Sequence, residues 1–251
     1  MRKLLFIPVL LLCTLFISAQ TTKSTEHVQQ VWAGYFNQTR LSDKWGFWAE
    51  AQLRTKEEFF TNLSQAVGRA GITYYFNDDT RLTAGYAFIN FYPGDNHKNI
   101  SQPEHRPWQQ IQWFTKYQKL RLMQWFRLEE RYRHKILNDN ELAPGYNFNF
   151  RIRYNFFAQV PLSKKRFQPK TLSFVLNNEV HINFGQQIVY NYFDQNRFFL
   201  GFNYHVNKHD QLQFGWMNIF QQLPAGNKYR SNNVARVFFF HNLDLRKQRA
   251  K

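Results

Sequence analysis

The chain has almost no cysteine. Cys13 is the only cysteine among its 251 residues, and it lies within an apolar run near the N-terminus. One thiol cannot form an intrachain disulfide, and it cannot supply the paired ligands of a cysteine-based zinc or redox motif. Disulfide-stapled scaffolds and cysteine metal sites are therefore excluded.

Long apolar runs are also scarce. After the N-terminus, no segment reaches the roughly 20 apolar residues that a membrane-spanning helix needs. The N-terminus has a short basic start, a shorter apolar run over residues 4–17, and then Ser18 and Ala19. This three-part order is typical of a secretory signal peptide. We therefore expect residues 1–19 to be a signal peptide that is cleaved after Ala19, which leaves an exported chain.

Acidic residues are few compared with basic ones. The chain has 17 Asp and Glu against 33 Lys and Arg, and its formal net charge is +16. Such an excess often indicates a nucleic-acid partner. Here the aromatic residues alternate within strand-like segments and the chain carries an export signal, so we expect no nucleic acid. Anionic lipid surfaces and small anionic solutes are the partners that the charge favours.

Strict alternation of apolar and polar residues is the strongest positive signal. Residues 147–160 read NFNFRIRYNFFAQV, with apolar side chains on one face, Arg151 and Arg153 on the other, and Phe157 as the one exception. Side chains of a strand point alternately to opposite faces. Soluble strands usually stop at about 5–6 residues, whereas a tilted strand that crosses a bilayer needs about 9–11. The length and pattern predict a wall strand of an outer-membrane barrel.

The pattern recurs along nearly the whole exported chain. It predicts strands over residues 28–40, 44–56, 63–76, 81–92, 106–117, 120–133, 147–160, 171–184, 197–206, 211–222 and 234–245. Short connections alternate with long ones at 93–105, 134–146, 185–196 and 223–233. Outer-membrane barrels have this asymmetry, together with aromatic girdles, for which Trp45, Tyr86 and Trp216 are candidates.

Eleven segments conflict with the even strand number of single-chain bacterial barrels. We therefore predict an all-β fold, a transmembrane antiparallel up-and-down β-barrel of 12 strands over residues 20–245, with 10 strands as the alternative. A basic C-terminal tail, 246–251, follows. A soluble sandwich and an eight-stranded soluble barrel explain the pattern less well, because their strands are shorter or fewer and their polar faces point outward.

If the apolar faces meet lipid, the charged side chains on the opposite faces point into the barrel. An Arg at the lipid midplane would cost about 2–4 kcal/mol. The candidate lumen residues are Glu50, Arg54, Arg69, Arg127, Glu129, Arg131, Arg151, Arg153, Glu179, His181 and Arg236. Two interpretations stay open. The charges form an ion-pair network that fills a narrow barrel, or the arginines line an anion path.

Catalytic motifs are weak. Ser173, Glu179 and His181 share a face, but residues two apart on a strand are separated by about 6.5–7 Å, which is beyond hydrogen-bond reach. No Gly-x-Ser-x-Gly motif occurs. We therefore expect a non-enzymatic, structural or transport-related protein with no catalytic residue, metal or cofactor. A barrel-embedded lipid acyl-hydrolase is the alternative from another class.

Four stretches carry a family resemblance. They are QQVWAGYFNQTRLSDKWGFWAEAQLRT (29–55), RAGITYYFNDDTRLTAGYAFI (69–89), HRPWQQ (105–110) and RLEERYR (127–133). Together they resemble the domain-of-unknown-function family DUF2490 of exported Gram-negative barrel proteins. The resemblance implies a β-barrel in the outer membrane, in contact with lipid and lipopolysaccharide, but no activity and no functional residue. We expect a monomer, and we hypothesise that HRPWQQ and RLEERYR meet across neighbouring strands.

Overall fold

Eleven β-strands follow one another along the part of the chain that the computed structural model describes, residues 22–56, 60, 62–94 and 97–246. The predicted signal peptide and the tail beyond residue 246 lie outside these residues. The strands are β1 (Ser24–Arg40), β2 (Trp45–Thr55), β3 (Leu63–Tyr75), β4 (Thr80–Phe91), β5 (Gln102–Lys116), β6 (Arg121–Ile136), β7 (Leu142–Pro161), β8 (Thr171–Phe184), β9 (Phe193–His205), β10 (Asp210–Gln222) and β11 (Lys228–Asp244).

The strands form a closed barrel in which each strand pairs antiparallel with the next along the chain. The barrel closes through a parallel pair, β1 with β11, in register from Ser24↔Lys228 to Arg40↔Asp244. Our prediction of 12 strands, like the alternative of 10, is wrong for the described residues. The even-number rule holds when every seam is antiparallel, whereas one parallel seam lets an odd number of strands close.

The two ends of the barrel differ in their connections. At the turn end, four connections have four residues each, 41–44, 76–79, 117–120 and 206–209. The opposite, loop end carries longer connections such as 92–101 and 185–192. Several loops are shorter than we predicted. The reason is that β5, β7, β9 and β11 begin four to six residues before the positions at which we predicted them to begin. The β7–β8 connection, 162–170, is the long one at the turn end.

The apolar face of each strand points outward. Ile72 is 65% exposed and Trp45 53% exposed, while the inward Thr73 and Glu129 are fully buried. Phe157, the exception in the alternation of β7, packs inward. Within the described residues, no helix is long and apolar enough to cross a membrane.

The inner face is not uniformly polar, contrary to what the alternation predicted. An apolar cluster on β1 and β8–β11 comprises Trp32, Phe36, Val175, Phe199, Met217, Ile219, Val234 and Phe238. A smaller one on β3–β5 comprises Val67, Ala87, Ile89 and Trp108. Aromatic rings therefore form part of the lumen wall beside the charged groups.

A glycine pair makes room for one of these rings. Gly201 and Gly215 lie opposite each other on β9 and β10. A Cβ on Gly201 would come within 2.5 Å of Phe199 Cζ. Gly215 is also the register partner of Arg236 on β11. The missing side chain of Gly201 leaves space for the Phe199 ring, on which the Arg236 guanidinium stacks.

Candidate functional site

A cavity of about 560 Å³ lies inside the barrel and has lining residues on all eleven strands. The lining extends from Gln30 and Ser64 near the loop end to Lys116 and Asn242 near the turn end. Thirteen Arg and one Lys line this cavity, against only Glu50, Glu179 and Asp194 as acidic residues. The lumen surface is therefore strongly positive.

Glu129 is the centre of the charged network. It is fully buried, and it does not line the cavity. Five guanidinium groups lie within 4.0 Å of its carboxylate, those of Arg151 (2.5 Å), Arg153 (2.6 Å), Arg106 (3.5 Å), Arg69 (3.8 Å) and Arg127 (3.9 Å). All five arginines line the cavity. The carboxylate thus stands behind the cationic surface and orients it.

Glu104 plays the same part nearer the loop end. It is also fully buried and behind the cavity surface. It lies 2.9 Å from Arg131 and 2.6 Å from Arg133, and it also pairs with Arg106. Glu104 and Glu129 together contact seven arginines, so neither carboxylate can neutralise its set.

Three further acids complete the network. Glu50 pairs with Arg69 at 2.5 Å, and Asp194 pairs with Arg151 at 2.8 Å. Glu179 pairs with Arg153, and its carboxylate lies 2.9 Å from His181 Nε2. The ion pairs connect β2, β3 and β5–β9 into one charged wall.

Three arginines stand outside this wall. We predicted Arg54 and Arg236 as lumen residues, and we did not predict Arg197. Among the described residues, no carboxylate lies within 4.0 Å of Arg54, Arg197 or Arg236. Arg54 donates to Gln52 at 2.8 Å and lies over the Trp32 ring at 3.7 Å. Arg236 lies 3.4 Å from the centre of the Phe199 ring. Their direct partners among the described residues are neutral side chains rather than carboxylates.

The comparisons with known proteins identify a family. A family model described as "Protein of unknown function (DUF2490)" matches residues 29–230. The chain belongs to this family. A solved structure of the NanC porin in a rhombohedral crystal form is similar with a TM-score of 0.46 and 13% identity, over 85% of this chain and 99% of that one. No curated protein matches the chain.

The DUF2490 match confirms the resemblance found in the sequence. HRPWQQ and RLEERYR do meet on neighbouring strands of the barrel, where Trp108 of β5 is the register partner of Glu129 of β6. Arg106 pairs with Glu104 on its own strand and contacts Glu129 across this pairing. The two motifs therefore build the centre of the charged wall of this DUF2490 barrel.

Our list of candidate lumen residues left out several charged groups of the inner face, among them Glu104, Arg106, Asp194 and Arg197. It also left out the cavity-lining Arg81, Lys116, Arg121 and Arg230. Glu104 and Asp194 lie in segments that we predicted as loops. The strands extend into these segments, but the sequence there has no continuous apolar face by which a strand could be recognised. The alternation was an available signal only for Glu104 and Arg106, which share the inward parity of Trp108. Asp194 has the opposite parity to Arg197 and turns inward at a register shift between β8 and β9.

The residues considered for catalysis do not form a hydrolase triad. Glu179 Oε1 nevertheless lies 2.9 Å from His181 Nε2, so our prediction that these two residues stay beyond hydrogen-bond reach is wrong. Ser173 Oγ lies 3.1 Å from His205 Nε2 rather than beside His181, and Gln159 contacts the same nitrogen at 3.0 Å. Neither Ser173 nor His205 lines the cavity. Within the described ranges, no group of three His, Cys, Asp or Glu residues could hold a metal ion.

The β7–β8 connection contacts side chains at the turn end of the barrel. Phe167 in this connection lies against the guanidinium of the cavity-lining Arg121, with its ring centroid 3.9 Å from the guanidinium carbon, and packs edge-on against His205.

The turns at this end of the barrel carry ion pairs. Arg40 donates a hydrogen bond of 2.6 Å to Asp78. This bond and the positive charge of Arg40 lower the pKa of the Asp78 carboxyl. Acidic groups at this mouth are thus held as ion pairs.

Proposed function

We propose that this DUF2490 protein is a monomeric outer-membrane β-barrel whose lumen passes small anions. The observation that carries the proposal is the composition of the cavity surface, fourteen basic against three acidic side chains. Rings of Arg or Lys lower the barrier to anions and raise the barrier to cations. The role is transport across the membrane without chemistry.

The outward face supports placement in the outer membrane. It exposes large apolar side chains on every part of the barrel, such as Tyr35, Ile72, Phe126 and Trp216. The strands have 11 to 20 residues, and a tilted strand needs about 9–11 to cross a bilayer. The signal-peptide pattern of residues 1–19 would direct the chain to export.

The position of the carboxylates supports passage over plugging. A lumen that is closed by ion pairs needs nearly equal numbers of opposite charges, since each unpaired buried ion loses hydration free energy. In this barrel, Glu104 and Glu129 lie behind their arginines and the cavity surface keeps a large positive excess. Such a surface attracts anions into the lumen.

Planar-bilayer recording tests the proposal. We would compare the unmodified protein with the double variant Arg151→Gln and Arg153→Gln, in which two guanidinium groups of the cavity surface become neutral. The matched control is Lys164→Gln with Lys165→Gln, which removes the same charge from the exposed β7–β8 connection. All three proteins are first shown to fold by their mobility on unheated gels.

We expect stable conductance with a preference for chloride over potassium in the unmodified protein and the control. The lumen variant should lose a measurable part of this preference while it still conducts, since twelve basic side chains remain on the cavity surface. Silence of the unmodified protein at all voltages would favour the structural alternative, a lumen closed by ion pairs. An equal loss of preference in the control would also count against the proposed path.

A further inference from the structure

Three arginines around Trp32 differ from all the arginines of the charged wall. Arg54, Arg197 and Arg236 line the cavity, and in the described part of the chain no carboxylate lies within 4.0 Å of them. We refer to Arg54, Arg197 and Arg236, with Trp32, as the Trp32 site. This inference rests on the proposed function and specifies where in the lumen an anion would bind.

The fold brings these side chains together from four strands. Trp32 of β1 has Arg54 of β2 as its register partner on one side and Arg236 of β11 on the other. Arg197 of β9 lies over the same indole ring, with its guanidinium carbon 5.1 Å from the ring centroid. The seam of the barrel thus places three cations around one aromatic residue.

Neutral groups hold the three guanidiniums in place. Arg54 donates to Gln65 at 2.9 Å, and Arg197 donates to Gln195 at 3.0 Å. Arg236 donates to Gln213 and stacks on the ring of Phe199. Amide oxygens and aromatic faces attract a guanidinium and fix its plane, but they leave its full positive charge in the cavity.

Arg236 shows that the site is incomplete. Its side chain is only 7% exposed, yet its Nε has no hydrogen-bond partner in the structure. Burial of a cation without a counter-ion is costly unless its donors are satisfied. Guanidinium groups present forked donors that match the paired oxygens of carboxylates and phosphates. A small oxyanion would therefore supply both the missing acceptor and the missing charge.

We propose that the Trp32 site binds a small oxyanion, a carboxylate or a phosphate, inside the lumen. Arg54 and Arg197 lie over the Trp32 ring and Arg236 is the register partner of Trp32, so the three guanidiniums share one part of the lumen. Glu179, the register partner of Arg197, makes its ion pair with Arg153 instead. Binding here would let the barrel select among anions of similar size rather than conduct all of them equally.

Titration calorimetry on the detergent-purified, full-length protein tests this site. The two probes are inorganic phosphate and acetate, each added at constant ionic strength. The site variants are Arg54→Gln and Arg236→Gln. The matched control is Arg81→Gln, because Arg81 lines the same cavity, donates to Gln112 and lies over the Phe114 ring rather than over Trp32.

We expect saturable binding of at least one probe, and a loss of about tenfold or more in affinity in each site variant, as expected when one charge-assisted hydrogen-bond donor is removed. The control should change by less than about twofold. Binding of phosphate alone, or of acetate alone, supports the site and identifies the oxyanion class. Absence of binding by both probes, or equal weakening in the control, overturns it.

The result is separable from the proposed conductance. An anion-selective barrel that binds neither probe overturns the Trp32 site and leaves the proposed function standing. Conversely, a barrel that binds a probe through Arg54 and Arg236 but shows no anion preference in bilayers overturns the proposed function, and the site then stands by itself.

Discussion

At the scale of single residues, the charged wall is organised around a carboxylate that does not line the cavity. Glu129 contacts five arginines and is fully buried behind them. Guanidinium groups that pack side by side repel one another, and the negative charge of Glu129 offsets this repulsion. The same residue therefore stabilises the wall and aims its positive charge at the cavity.

Glu129→Gln should destabilise the protein by about 3–5 kcal/mol, because removal of one partner leaves buried charges uncompensated. The measurement is urea-induced unfolding in detergent, followed by tryptophan fluorescence. Glu130→Gln is the matched control. Glu130 is the next residue and has the outward parity of β6, so its substitution should change stability far less. Equal unfolding midpoints for the unmodified protein and Glu129→Gln would contradict the role assigned to Glu129.

The alternation of side chains predicts on which face Arg151 or Glu179 lies, since it depends only on strand geometry. It cannot predict which arginine meets which acid, because the contacts join strands that are distant in the sequence, as Arg153 of β7 joins Glu129 and Glu179. The part of these residues in an anion path stays a prediction. Trp32 and Phe199 were not foreseen as lumen residues, because an inward aromatic side chain has the same local signature as an outward one.

At the scale of elements, the parallel β1–β11 seam is the main departure from what the sequence predicted. The alternation identified eleven strands, and the fold contains those eleven in the described residues. The twelfth was added only to satisfy antiparallel closure. Pairing partners more than 200 residues apart, such as Ala33 and Val237, carry no local signal in the sequence.

A pair of cysteines tests this seam. Ala33→Cys and Val237→Cys lie opposite each other on the outer face and should form a disulfide on mild oxidation. The offset pair Ala33→Cys and Asn233→Cys, about 13 Å apart along the strands, should not, because a disulfide needs Cα atoms less than about 7 Å apart. A twelfth strand between β1 and β11 would prevent the first cross-link, and its absence on a non-reducing gel would contradict the parallel closure.

At the scale of the whole molecule, the barrel should resist detergent until it is heated. A closed sheet has no edge at which unfolding can begin, since every strand is paired on both sides. The purified protein should therefore migrate differently on a gel with and without boiling in dodecyl sulfate. Identical migration, together with solubility in the absence of detergent, would contradict a membrane barrel.

Much of the positive charge of the molecule lies on the surface of the lumen cavity. The cavity surface has fourteen basic groups and three acidic ones, so the lumen itself should discriminate between ions of opposite sign. Salt screens such a field, with a Debye length of about 10 Å at 0.1 M and about 3 Å at 1 M. The preference for anions should therefore be larger in dilute salt than in concentrated salt.

The most direct test of this account is the zero-current potential of the unmodified protein in a planar bilayer with a potassium chloride gradient. The account predicts a stable conductance and a potential of the sign set by chloride, which declines as both solutions are made more concentrated. A potential of the sign set by potassium, or no conductance at any voltage, would contradict it.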